Sequence, residues 1–223
     1  MGEMIQFARP DGKDCPAYLA TPGAGATAPA VVVIQEYWGL NPQIKKTGDR
    51  LAAEGFRALV PDLFRGKIAA DANEASHLMS GLNFGDAASQ DIRGAIQFLK
   101  QSSKKVGAIG FCMGGALVII AGALVPGLDA GVCFYGMPPK AVADPGKIAV
   151  PMMYHYANID DWCTPERVNE VEAAVKGSKA PHELFRYDAH HAFMNDARPE
   201  VYDAALAKTA WERSLTFLHT NLG

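Results

Sequence analysis

Apolar residues in this chain fall into short unbroken runs, separated by stretches in which they recur every three or four positions. That alternation predicts buried strands joined by amphipathic helices. Residues 4–8 and 16–20 flank the turn-like Asp11-Gly12-Lys13-Asp14 and read as an edge hairpin. Residues 30–34, Ala-Val-Val-Val-Ile, form a run apolar on both faces, as in a central strand. A helix over 42–54, a stop at Gly55 and a strand over 56–60 complete a first βαβ unit. Residues 66–85 are polar, weakly helical and interrupted by Gly81 and Gly85, and read as an excursion over the sheet edge that could act as a lid.

Residues 86–100 place Ile92, Ala95, Ile96 and Leu99 on one helical face. A strand over 105–111 and a helix over 113–124 follow, then strands over 130–135 and 148–155. A helix from Pro165, a strand over 183–187 and a helix over 199–218 complete the chain. About eight strands alternating with helices predict one α/β domain over residues 1–223, with a mostly parallel, doubly wound sheet and helices on both faces. In such a sheet the site lies at the carboxyl ends of the strands.

With 223 residues, 49% of them hydrophobic, the chain can bury a substantial core. A net charge of −3 without any long Lys/Arg run argues against nucleic acid or an anionic membrane surface as partner, leaving a small molecule. Residues 1–6 show no basic region leading into an apolar stretch, so the expected location is the cytoplasm. Cysteines 15, 112, 133 and 163 make no CxxC pair and no zinc spacing, so neither a disulfide framework nor a metal is expected. Cys15 and Cys133 read as packing residues. Composition leaves the oligomeric state at a monomer or a weak homo-oligomer.

Cys112 differs from them because it sits in Gly110-Phe111-Cys112-Met113-Gly114, where an apolar strand turns abruptly into a helix. A nucleophile elbow needs small residues around such a turn, and the helix N-terminus behind it favours a thiolate. A nucleophile there requires a base and an orienting acid, in the chain order nucleophile, acid, histidine. The candidate acids are Asp160 and Asp161, and the candidate bases are His190 and His191. The backbone N–H groups of Met113 and Tyr37 are the candidate oxyanion donors. Glu36 is costly to bury directly after an apolar strand, so it is either functional or a surface cap. His77, His182 and His219 read as solvated, and His155 as structural.

Taken in order, Gln35-Glu36-Tyr37-Trp38-Gly39-Leu40-Asn41, Val60-Pro61-Asp62-Leu63-Phe64, Gly110-Phe111-Cys112-Met113-Gly114-Gly115, Asp161-Trp162-Cys163-Thr164-Pro165 and His191-Ala192-Phe193 resemble the signatures of the dienelactone hydrolases, in the α/β-hydrolase superfamily. The resemblance covers nearly the whole chain. It implies a cofactor-free hydrolase of a small ester or lactone, with Cys112 as nucleophile, His191 as base, Asp161 as orienting acid and Glu36 taking part in thiol activation. It also implies Arg213 as a holder of the substrate carboxylate, with Trp38 and Phe193 in the substrate site. Residues 71–80 depart from the family by offering only His77 where well-known members supply an arginine and aromatics. Two other classes stay open on the residues alone: a non-catalytic binding protein on the same fold, and a thiol-redox role pairing Cys112 with Cys163.

Overall fold

The computed structural model describes residues 2–223. Strands β1 (Glu3–Ala8) and β2 (Asp14–Ala20) form the expected antiparallel hairpin. β2 pairs antiparallel with β4 (Arg57–Pro61), which lies parallel to β3 (Ala30–Ile34). Beyond β3 the sheet continues in parallel through β5 (Val106–Phe111), β6 (Ala130–Phe134), β7 (Met152–Ile159) and β8 (His182–His190). The order is β1-β2-β4-β3-β5-β6-β7-β8. Chain progress reverses at β3, so its carboxyl end and that of β5 open onto one crevice, the place where such sheets hold a ligand.

β3 shows how the layers arise. Ala30, Val32 and Ile34 enter one core while Val31 and Val33 enter the other. On the first face lie α4 (Arg93–Lys100), α5 (Met113–Leu124) and α6 (Pro165–Lys176), through Ile96, Leu99, Leu117 and Val171 among others. On the second lie α1 (Pro42–Ala53) and α7 (Ala204–Leu222), through Ile44, Leu51, Trp211 and Leu218. α5 is buried over Met113 to Gly122, which explains why its sequence is apolar all round rather than striped.

Several boundaries differ from expectation for local reasons. Residues 66–85 contain a true helix, α2 (Ala72–Ser80), whose Asp71 carboxylate accepts from the Glu74 N–H as an N-cap. The helix expected from residue 86 begins two residues earlier as α3 (Phe84–Asp86) and passes through a π-helical stretch, Ala87–Ile92, before α4. β7 starts only at Met152, since Pro151 has no N–H for the ladder, and it runs on to Ile159. α7 starts at Ala204 rather than 199 because Asp203 caps it, accepting from Ala205 and Leu206.

His155 of β7 joins the layers through a buried polar chain. Arg213 Nη1 donates to the Tyr187 hydroxyl (3.0 Å), which lies 2.8 Å from His155 Nδ1. His155 Nε2 lies 3.0 Å from Ser214 Oγ, and that hydroxyl donates to the Ala210 carbonyl. Ser214 must therefore accept, which fixes the proton on Nε2 and makes Nδ1 the acceptor. The ring stacks on Phe134 at 4.4 Å. Burial first, and then the Arg213 charge, push its pKa down to about 3.

The folded pKa is below the unfolded one, so only the unfolded chain takes up a proton between about pH 3 and 6.5. The stability that depends on neutral His155 is complete above that window and is lost as pH falls through it, by at most about 1.4 kcal/mol per pH unit. Urea unfolding of His155→Gln against wild type is expected to show a variant that is less stable at neutral pH. Its deficit should narrow between about pH 6.5 and 4, and a constant deficit would contradict a buried neutral imidazole.

Candidate active site

Cys112 stands between β5 and α5 with φ 54° and ψ −115°, a left-handed strain that a non-glycine residue keeps only where its surroundings enforce it. Its N–H donates to the Phe134 carbonyl at 3.0 Å. The corner closes because neighbouring backbone passes where side chains would be. A Cβ on Gly110 would collide with the Gly114 carbonyl, and one on Gly114 with the Ile34 carbonyl. These contacts bring the end of β3, and with it Glu36 and Tyr37, against the elbow.

His191 follows directly on β8, which extends to His190 rather than ending at Tyr187. The His191 N–H donates to the Ile159 carbonyl at 3.2 Å, and Ala192 behind it has φ 65°. The ring Nδ1–H donates to Asp160 Oδ2 at 2.7 Å. Here the structure corrects the sequence reading, because Asp160, not Asp161, is the residue that meets the histidine. Since β7 runs on to Ile159, Asp160 is the first residue past the strand and turns inward, its side chain fully buried. Its other oxygen accepts the Trp162 and Cys163 N–H groups, both at 2.8 Å. Asp161 points outward to the rim of the cavity.

Burial opposes the charge of both partners, but it does not prevail. The His191 hydrogen bond and the two backbone N–H groups hold the Asp160 carboxyl below the usual carboxylate range. Burial likewise lowers the His191 pKa, yet Asp160 on one side and the Cys112 sulfur on the other outweigh it and push the imidazole up to about 10. Its Nε2 is buried and has no partner of full hydrogen-bond geometry among the described residues. A proton there is aimed at the cavity.

Glu36 is buried, and the protein satisfies both of its oxygens. Oε1 accepts from the Tyr135 hydroxyl at 3.1 Å and Oε2 from Asn195 Nδ2 at 2.6 Å. Burial raises its pKa despite those bonds. It is therefore not a surface cap. Asn195 escaped the sequence reading, although an amide four residues past His191 in an otherwise apolar stretch was a usable signal. Met113 is the first residue of α5, so its N–H has no intrahelical acceptor.

Cys112, His191 and Glu36 line a cavity of about 260 Å³ with Tyr37, Arg198 and Trp162. Arg198 is the functional candidate that sequence reasoning missed, seven residues beyond His191 in a polar loop that carries no motif. Its guanidinium lies 5.8 Å from the Trp38 ring, and its Nε donates to Glu200 at 2.8 Å. Arg213, expected in the site, lies elsewhere. It is exposed on α7, where it shares a separate groove with Pro151 and Pro181, and its guanidinium lies 4.2 Å from the Phe185 ring. Trp38 and Phe193 are also outside the cavity. Trp38 packs edge-on behind Tyr37 at 4.8 Å, and Phe193 is fully buried against Tyr135 and Tyr187. His77 is exposed on α2, and Met79 of that helix lines the cavity instead.

The other thiols are buried. Cys133 donates to the Gly136 carbonyl and Cys163 to the Tyr135 carbonyl. Burial pushes the thiols of Cys15 and Cys133 up to about 12 and that of Cys163 higher. Among the described residues no helix is long and apolar enough to cross a membrane.

Comparison with known proteins agrees with this fold. "Protein usf" of Aquifex pyrophilus is 36% identical over 228 residues, covering 97% of each chain. A "Putative carboxymethylenebutenolidase" of Aquifex aeolicus is 33% identical over 234 residues and covers both chains completely. The crystal structure of a "Putative Dienelactone Hydrolase" from Klebsiella pneumoniae superposes with a TM-score of 0.86 at 24% identity, over 98% of this chain and 99% of the other. The sequence pattern of the dienelactone hydrolase family matches residues 15–222. With that match and those relatives over an eight-stranded hydrolase sheet, the chain belongs to the dienelactone hydrolase family.

Proposed function

We propose that the protein hydrolyses a small ester or lactone of the dienelactone type, through a covalent thioester on Cys112. The observation that carries this reading is His191, held by Asp160 on one side and aimed at the cavity and the strained Cys112 on the other. A proton held up to about 10 on that imidazole makes His191 an imidazolium beside the Cys112 sulfur, poised to assist a thiol nucleophile.

In the first half-reaction the Cys112 thiolate attacks the carbonyl carbon, and the carbonyl π pair moves onto oxygen. The N–H of Met113, at the head of α5, and that of Tyr37 receive this oxyanion. Collapse expels the alkoxide, which takes the proton from His191 Nε2, leaving an acyl thioester and a neutral imidazole. In the second half-reaction His191 removes a proton from water, the hydroxide attacks the thioester, and the thiolate leaves while the imidazolium is restored. Asp160 fixes the tautomer and holds the charge that develops on His191. Glu36, buried beside the thiol and raised by burial, takes part in activating it. Arg198 replaces the expected Arg213 as the cation available to an anionic group of the substrate.

The redox alternative draws no support from the geometry, since Cys163 is buried, donates to a carbonyl and is a poor nucleophile with its thiol pushed upward. A purely binding role leaves the strain at Cys112 without a purpose.

Steady-state hydrolysis of a dienelactone and of a simple aryl ester should fall by roughly three or more orders of magnitude in Cys112→Ala and His191→Ala, as for members of one catalytic unit. Retention of near-full turnover by either variant on every ester would overturn the assignment. Asp160→Asn should cost roughly 10²- to 10⁴-fold in kcat, while Asp161→Asn stays within a few-fold of wild type. The reverse order would return the orienting role to Asp161. The alkaline limb of kcat/KM reports loss of the His191 proton and should lie near pH 10 in wild type. Removing the Asp160 carboxylate removes a charge that favours the imidazolium, so Asp160→Asn moves that limb to lower pH.

A further inference from the structure

The mouth of the cavity carries a feature that the triad chemistry does not use. Trp162 and Ile159 are each 56% exposed, although both line the cavity, and the half-buried Met79 and Val201 complete an apolar rim. Large apolar side chains gathered around one opening mark a binding surface more often than chance exposure.

Trp162 is also fixed in place. Its N–H donates to Asp160 Oδ1 at 2.8 Å, and its carbonyl accepts from Arg167 Nη1 at 2.7 Å. The carboxylate that orients His191 therefore also sets the backbone that carries the indole. The backbone under the exposed ring is thus ordered before a substrate arrives, which lowers the entropy cost of stacking on it.

The cavity beneath is small, just under the roughly 300–1,000 Å³ of sites that swallow a drug-sized ligand. It can hold the reacting carbonyl and a compact acyl group, and any larger part of the substrate must emerge at the rim. What emerges there meets indole, isoleucine, methionine and valine beside the polar Asp161 and His190, and the indole is the largest exposed flat face among them. Planar rings stack on such a face and are preferred to small aliphatic groups.

We infer that Trp162 is the platform of an aryl subsite at the cavity mouth, so that the preferred substrates are esters carrying a planar aromatic ring next to the scissile bond. This rests on the ester-hydrolase reading and narrows it from compact lactones to aryl-bearing esters. Trp162 acts as a specificity residue, touching the substrate's ring and taking no part in bond making.

The test compares phenyl acetate with ethyl acetate, each on wild type, Trp162→Ala and Trp162→Phe, so that intrinsic reactivity cancels in each variant-to-wild-type ratio. In Trp162→Ala, kcat/KM for phenyl acetate should fall roughly 5- to 10-fold through KM, with ethyl acetate within about 2-fold, and Trp162→Phe should recover most of the loss. Equal losses on both esters, or no loss on either, would overturn the subsite. A second readout does not depend on turnover: titration of wild type with 4-nitrobenzoate should shift the indole N–H resonance that disappears in Trp162→Phe. An unmoved Trp162 resonance would also overturn the subsite. If wild type cleaves no ester but that resonance still shifts saturably, the hydrolase reading falls while the aryl subsite stands.

Discussion

The carboxylate of Asp160 is the joint on which the site depends. One oxygen holds His191 at 2.7 Å, and the other takes the backbone N–H groups of Trp162 and Cys163. A fully buried carboxylate costs several kcal/mol unless its partners replace water, and here three donors do so. The group therefore stays ionised in a place where burial alone would protonate it. Three things follow from one side chain: the tautomer of His191, the raised proton affinity of its ring, and the course of the chain from β7 into α6.

A second constraint meets this one across the crevice. The left-handed Cys112 is possible because Gly110 and Gly114 let β3, β5 and α5 approach more closely than side chains would permit. That approach places the sulfur at a helix N-terminus and the Glu36 loop beside it. Packing on both faces of the sheet holds the corner shut, so part of the folding free energy maintains a strained residue. Glu36, bound by Tyr135 and Asn195 and raised by burial, shows the opposite balance from Asp160. Two buried carboxyls near one thiol are thus tuned apart by how many donors each receives.

The fold was legible in the sequence because its signals are local and repeated: unbroken apolar runs for parallel strands, helical spacing between them, and glycines around Cys112. The positions of Cys112 at a strand-to-helix turn and of His191 just past a strand were legible for the same reason. Which aspartate meets His191 was not, because the choice between Asp160 and Asp161 turns on where β7 ends, and strand alternation flips the answer with a shift of one residue. Arg213 was misplaced because a position in α7 does not say which end of the sheet its side chain serves. In the fold it donates to Tyr187, which in turn meets His155, and it does not line the cavity. Arg198 and Asn195 went unseen since both act from a loop whose path depends on tertiary contacts with Trp38, Tyr37 and Glu36.

The central claim is covalent catalysis at Cys112, and its most direct test is to look for the intermediate. Wild-type protein mixed with an aryl acetate, quenched in acid within the first turnovers and analysed by intact and peptide mass spectrometry should carry one acetyl group on the peptide containing Cys112. The adduct should persist in a variant whose His191 can no longer activate water. Turnover with no adduct, or an adduct on a residue other than Cys112, would contradict the account.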